Sequence, residues 1–168
     1  MTLEEQTQRQ HGIVTAHIAA ENAHDWNAAS AGFIQTGTAF RDMLLVATVF
    51  KGVGGVRAFY DTIGNALPDL HIEIKSQNDL PGCTVCEGVL TGTHLGEYMG
   101  IPPRGNPVRM DITTYYFFDD KTEKLVAQRM YFDQAGLLQQ MQGGGHGRHP
   151  RKKQKKKLPH RRKARTLA

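Results

Sequence analysis

"VRAFYDTIGNALPDLHIEI", Val56 to Ile74, changes its period partway along. Val56, Phe59, Tyr60, Ile63 and Leu67 recur at three- and four-residue steps, the spacing of one helical face. Pro68 has no amide hydrogen to give and stops that pattern. Beyond it Leu70, Ile72 and Ile74 alternate with His71, Glu73 and Lys75, the two-residue period of a half-buried strand. The chain is thereby divided into a helical first part and a strand-rich second part.

Towards the N-terminus, Thr2 and Glu5 have the spacing of a capping box. Ile13, Val14, His17 and Ile18 then share one face, so residues 3–23 read as a first long helix. Asp25 can cap a second helix with Trp26, Ala29 and Phe33 turned inward, and a strand is expected around 37–50. Towards the C-terminus, Pro81-Gly82 turns the chain into a run over 83–94. The wide loop "MGIPPRGNP" (99–107) precedes another run at 108–118, and "DDKTEK" (119–124) turns into a last strand at 125–133. A short helix with Leu137, Leu138 and Met141 closes the pattern. Three helices followed by a meander of long antiparallel strands predict an α+β domain in which helices cover one curved sheet.

Charge is divided unevenly over the 168 residues. Residues 1–142 carry 10 Lys/Arg and 16 Asp/Glu, whereas 143–168 carry 11 Lys/Arg and no acid. The expected organisation is a folded domain over 1–142 and a disordered basic tail over 143–168, where Gly, Pro and Lys cannot bury enough apolar surface to offset ordering. That tail could meet phosphates by neutralising them or act as a nuclear-import signal, but no aromatics interleave its cations for base stacking. Nucleic acid is therefore not expected as a partner except through 143–168. The acidic, polar start argues against a secretory or transit peptide, and no apolar run approaches the ~18 residues of a membrane span. A cytoplasmic protein without membrane contact is expected, nuclear if the tail is an import signal. Cys83 and Cys86 form a Cys-x-x-Cys pair on a strand, where positions three apart face opposite ways. A redox or zinc role competes there with two ordinary semi-buried thiols.

Taken together, "ALPDLHIEI" (66–74), "LTGTHLGEYMGIPPRGNPV" (90–108) and "YFDQAGLLQQM" (131–141) resemble, in order and spacing, the SnoaL-like polyketide cyclase (ester cyclase) family of the NTF2-like superfamily. The resemblance covers residues 5–141. It implies a cone in which a curved sheet and three helices enclose a pocket, with protomers pairing into a homodimer through the outer sheet face. It also implies that no metal or organic cofactor is used. Family cyclases close the last ring of an aromatic polyketide ester by intramolecular aldol addition, an Asp on the final strand acting as acid and base.

Asp133 matches that aspartate. Strand alternation puts Ala127, Arg129, Tyr131 and Asp133 on one face, so an Asp133 looking into the cone brings Arg129 and Tyr131 with it. A carboxyl group in a dry apolar cone binds its proton more tightly, which suits general acid–base catalysis. The competing reading is that Asp133 caps the helix beginning at "QAGLL". The family places a histidine where this chain has Tyr131, and more commonly a Trp where it has Arg129. His94 is the second catalytic candidate, an imidazole able to shuttle a proton or hold a carbonyl, or else a strand-end histidine bonded to its loop. Tyr131, Arg129, Tyr115, Phe117, His17 and Trp26 complete the expected substrate-binding set, for a small hydrophobic or aromatic polyketide-like ligand. Three functions follow as expectations: a cofactor-independent cyclase or isomerase, a ligand-binding module without turnover, or an interaction protein working through its tail.

Overall fold

The computed structural model describes residues 2–43, 48–122 and 124–144. The basic run beyond Gly144, and with it the expected disorder of the tail, lies outside the described residues. Helix α1 (Leu3–Asn22) begins at the capping box: the Glu5 amide donates to Thr2 Oγ1 at 3.1 Å and the Thr2 amide to Glu5 Oε2 at 2.7 Å. Its buried face carries Gln10, Val14, His17, Ile18 and Glu21. Helix α2 (Trp26–Ala31) is capped by Asp25, which accepts from the Ala28 amide at 2.9 Å.

Where one strand was expected around 37–50, the chain forms two short antiparallel ones, β1 (Phe40–Met43) and β2 (Thr48–Lys51). Helix α3 (Gly52–Ala66) follows, burying Val56, Phe59, Tyr60 and Ile63 before Pro68. The long strands are β3 (His71–Leu80), β4 (Cys83–Thr93), β5 (Pro107–Phe118) and β6 (Leu125–Phe132), and α4 (Gln134–Met141) ends the described fold.

The six strands make one sheet in the order β2-β1-β6-β5-β4-β3. All neighbours are antiparallel except β1 and β6, which run parallel, Phe40 opposite Ala127. The β3–β4 register shifts between Ile74 and Ser76, an irregularity of the kind that bends a strand pair and increases its twist. Near it Gly88 meets β3 so closely that a Cβ would stand 2.5 Å from the Glu73 carbonyl oxygen. Only glycine allows that approach without displacing backbone.

The even-numbered residues of β5 from Val108 to Phe118 are buried. Register aligns them with Thr84, Cys86 and Leu90 of β4 and with Gln128, Met130 and Phe132 of β6. This is the concave face, and α1, α2 and α3 cover it. Cys86 lies on it, with burial pushing its thiol up to about 12, and Cys83 on the opposite face; both are free. The Cys-x-x-Cys pair therefore cannot act as a paired redox or metal motif. No helix among the described residues is long and apolar enough to cross a membrane.

Candidate active site

Between sheet and helices lies a narrow, mostly apolar cavity. Met110, Met130, Phe132, Ile72 and Leu137 give it hydrocarbon walls. Three of its lining residues are titratable: Glu21 from α1, Tyr60 from α3 and Tyr98 from the β4–β5 loop. Trp26 completes the polar-edged part of the wall.

Glu21 belongs to a buried network. The Tyr60 hydroxyl donates to Glu21 Oε1 at 3.0 Å and lies 3.1 Å from His17 Nε2. The same His17 nitrogen is 3.4 Å from Glu21 Oε1 and 3.3 Å from Gln128 Oε1. A nitrogen facing three oxygens is best occupied by a hydrogen, which selects the tautomer or cation protonated at Nε2. Phe33 and Tyr116 present ring edges to His17, with centroids 5.6 and 5.8 Å away. The reason for the cluster is local: His17 and Glu21 stand one turn apart on α1 and point the same way. Burying such groups is tolerable only when they bond one another.

Two further ties fix the position of Glu21. Asn22, the last residue of α1, exchanges both amide bonds with Ile72 of β3: its side chain accepts from the Ile72 amide at 2.7 Å and donates to the Ile72 carbonyl at 2.9 Å. Trp26 stacks on Tyr60 at 5.6 Å and 15°. Gly64 makes room for this, since a Cβ there would be 2.7 Å from the indole nitrogen. The network thus has a fixed carboxyl, a phenol bonded to it and an imidazole behind both, at the edge of an apolar hollow. Such a set can accept and return a proton in a water-poor space.

The expected site residues fall into three groups. Trp26 lines the cavity, and His17 stands behind Glu21 and Tyr60 rather than in the wall. The expectation that Asp133 faces the cone is overturned: β6 ends at Phe132, and Asp133 is exposed and caps α4, accepting from the Gly136 amide at 3.0 Å. Arg129 and Tyr131 are corrected with it. In β6 the apolar side chains of Met130 and Phe132 turn to the helices, which leaves Arg129 and Tyr131 on the other face.

Tyr115 and Phe117 share that outer face. They stack at 6.3 Å, Tyr131 packs edge-on to Tyr115 at 5.7 Å, and the Arg129 guanidinium lies 5.8 Å from the Phe117 ring centre. His94 is wholly buried but does not line the cavity; neither ring nitrogen has a partner among the described residues, while its backbone binds Asn106 and Gly105. Glu21, Tyr60, Gln128 and Tyr98 were missed. The first had a signal, an acid on the apolar face of α1 four residues after His17. Among the described residues no group of three or more His, Cys, Asp or Glu is arranged to hold a metal.

A family model described as "SnoaL-like polyketide cyclase" matches residues 11–141. No match was found among curated proteins. Solved structures share the fold at low identity. A protein of Jannaschia sp. CCS1 assigned to the SnoaL-like polyketide cyclases superposes with a TM-score of 0.72 at 16% identity, over 80% of this chain and 92% of that one. AclR of Streptomyces galilaeus, assigned as a hydroxylase, gives 0.68 at 20%, over 82% and 83%. A Catenulispora acidiphila protein with a ketosteroid isomerase-like fold, solved with trimethylamine, gives 0.63 at 18%, over 77% and 92%.

Proposed function

Since the chain belongs to the SnoaL-like polyketide cyclase family, we propose that it closes a ring in a small, flat, carbonyl-rich compound by proton transfer inside the cone. The observation that carries this reading is Glu21, a carboxyl that lines the apolar cavity and is held by the Tyr60 hydroxyl at 3.0 Å. In the proposed reaction the Glu21 carboxylate takes a proton from a carbon next to a carbonyl. The resulting enolate attacks a second carbonyl of the same molecule and forms the carbon–carbon bond. The alkoxide so produced takes the proton back from Glu21, so the product is an isomer of the substrate and the carboxylate is regenerated.

Tyr60 and His17 have positioning roles in this scheme. The phenol directs one oxygen of Glu21, and the imidazole, backed by Gln128, holds the phenol. Preorganised hydrogen bonds of this kind need no reorientation when charge moves. The test is incubation with an aromatic β-keto ester able to close a ring. In H2O wild type should give a product of unchanged mass, in D2O it should exchange the acidic C–H faster than buffer alone does, and Glu21→Gln should do neither while keeping its circular dichroism. Retention of both activities by Glu21→Gln sinks the assignment.

A second reading, a module that binds a small apolar ligand without turnover, is favoured by one observation: the aspartate matching the family's acid/base caps a helix outside the cavity. It predicts tight binding with no deuterium exchange. For the outer sheet face the proposal is pairing of two copies, supported by the half-exposed aromatic group of Tyr115, Phe117 and Tyr131.

A further inference from the structure

Tyr98 is 4% exposed and forms part of the cavity wall, yet its hydroxyl makes no hydrogen bond to any described residue. The hydroxyl oxygen is not one of the fully buried polar atoms left without a partner, so a water-sized molecule can reach it. A donor in a hydrocarbon wall serves a bound molecule best when it has a fixed position.

Its mounting supplies one. Tyr98 and Ile101 exchange both backbone bonds, at 3.1 and 2.9 Å, across a two-residue turn. Met99 and Gly100, the turn's centre, both have positive φ, 50° and 79°, the backbone of the tight turn that reverses a strand pair. The loop is in turn seated on the end of α3. The Leu95 amide donates to the Ala66 carbonyl at 3.0 Å, and Gly96 lies so close that a Cβ would be 2.1 Å from the Asn65 carbonyl oxygen. Tyr98 is therefore held by rigid backbone rather than carried on a loose loop. Burial also pushes its phenol above the ordinary range, so it keeps its hydrogen as a donor at neutral pH.

We propose that Tyr98 donates a hydrogen bond to the carbonyl oxygen of the cavity ligand, as a substrate-binding residue opposite in role to Glu21. The inference rests on the reading of the cavity as a ligand site and extends it to the ligand's chemistry: a flat, apolar compound with a carbonyl oxygen on the side of the β4–β5 loop. When a proton leaves the neighbouring carbon, that oxygen gains negative charge and the bond strengthens. A fixed donor is most effective at such a point.

Two probes of equal shape test it, 2-acetylnaphthalene and 2-ethylnaphthalene, titrated calorimetrically into wild type and Tyr98→Phe. The variant should bind the ketone roughly 3- to 10-fold more weakly, the range set by one net hydrogen bond. It should bind the ethyl compound equally well and melt at the same temperature, because the lost hydroxyl had no protein partner. In the infrared, the carbonyl band of the ketone bound to wild type should lie below its position in cyclohexane, and in Tyr98→Phe it should return towards that position. The wild-type spectrum decides the matter even if the variant does not fold: an unshifted band overturns the proposal. If both probes bind and the substitution affects neither, Tyr98 is not the donor, although the cavity remains a ligand site. If wild type binds neither probe, the reading of the cavity falls, and the role of Tyr98 falls with it.

Discussion

The hydroxyl of Tyr60 stands 3.0 Å from Glu21 Oε1 and 3.1 Å from His17 Nε2, so one phenol joins two side chains of α1 to α3 inside the core. Tyr60→Phe keeps the ring and its stack with Trp26 but withdraws that bond from Glu21. Leaving a buried polar partner short of a bond costs about 1–3 kcal/mol. The urea midpoint of the variant should fall accordingly with an unchanged m-value, and ring-closing activity should fall with it. A midpoint equal to wild type contradicts the network as drawn.

Gly64→Ala places a methyl group where the Trp26 indole nitrogen now lies, 2.7 Å from the new carbon. The indole must leave its stack on Tyr60. Trp26 is the only tryptophan in the sequence, so intrinsic fluorescence reads this site alone. Emission should move to the red, and affinity for an aromatic cavity ligand should drop. Unaltered emission would show that helix α3 or the ring accommodates the methyl in place.

Asp133 has a structural task that substitution can isolate. Asp133→Ala removes an N-cap and should cost about 0.5–2 kcal/mol of stability, whereas Asp133→Ser should recover most of it. Both should retain turnover within a few-fold once compared as folded protein. Thermal melts and initial rates on the same samples separate the two effects.

Acid should act through Asp79. Burial pushes this carboxyl up, but hydrogen bonds from Thr84 at 2.6 Å, His11 at 2.7 Å and Gln77 at 3.1 Å outweigh it and hold the carboxyl below its ordinary value of 3.8. A group with a lowered pKa in the folded state contributes stability above its unfolded value and loses it as pH falls through the folded one. The contribution should therefore be complete at neutral pH and fade below pH ~4. Asp79→Asn should lower stability at pH 7 and flatten the acid limb of the stability curve. An acid limb as steep as that of wild type would place the titration elsewhere.

Much of this architecture was legible in the sequence. The break at Pro68, the capping box at Thr2 and Glu5, the Asp25 cap and the period-two runs after Leu70 are local signals, and each element forms within a few residues of where they place it. The parallel pairing of β1 with β6 was not legible, because it joins residues more than eighty positions apart through tertiary packing alone. The face of β6 was misread for a different reason. Its inner parity contains a polar residue, Gln128, and its outer parity an aromatic one, Tyr131, so alternation by itself was ambiguous and the family's aspartate decided it. Met130 and Phe132 held the stronger argument, since their apolar surface gains most from burial. Tyr60 was read as core, which it is, while its hydroxyl serves the cavity network as well.

The most direct test compares two substitutions on one substrate, Glu21→Gln and Asp133→Asn, with rates of ring closure measured at equal concentrations of folded enzyme. Loss of the group that moves the proton should slow the reaction by ~10²–10⁴-fold. The account predicts that loss for Glu21→Gln and a rate within a few-fold of wild type for Asp133→Asn. The opposite result, a dead Asp133→Asn beside an active Glu21→Gln, would return the chemistry to the end of β6 and contradict the assignment of the cavity carboxyl.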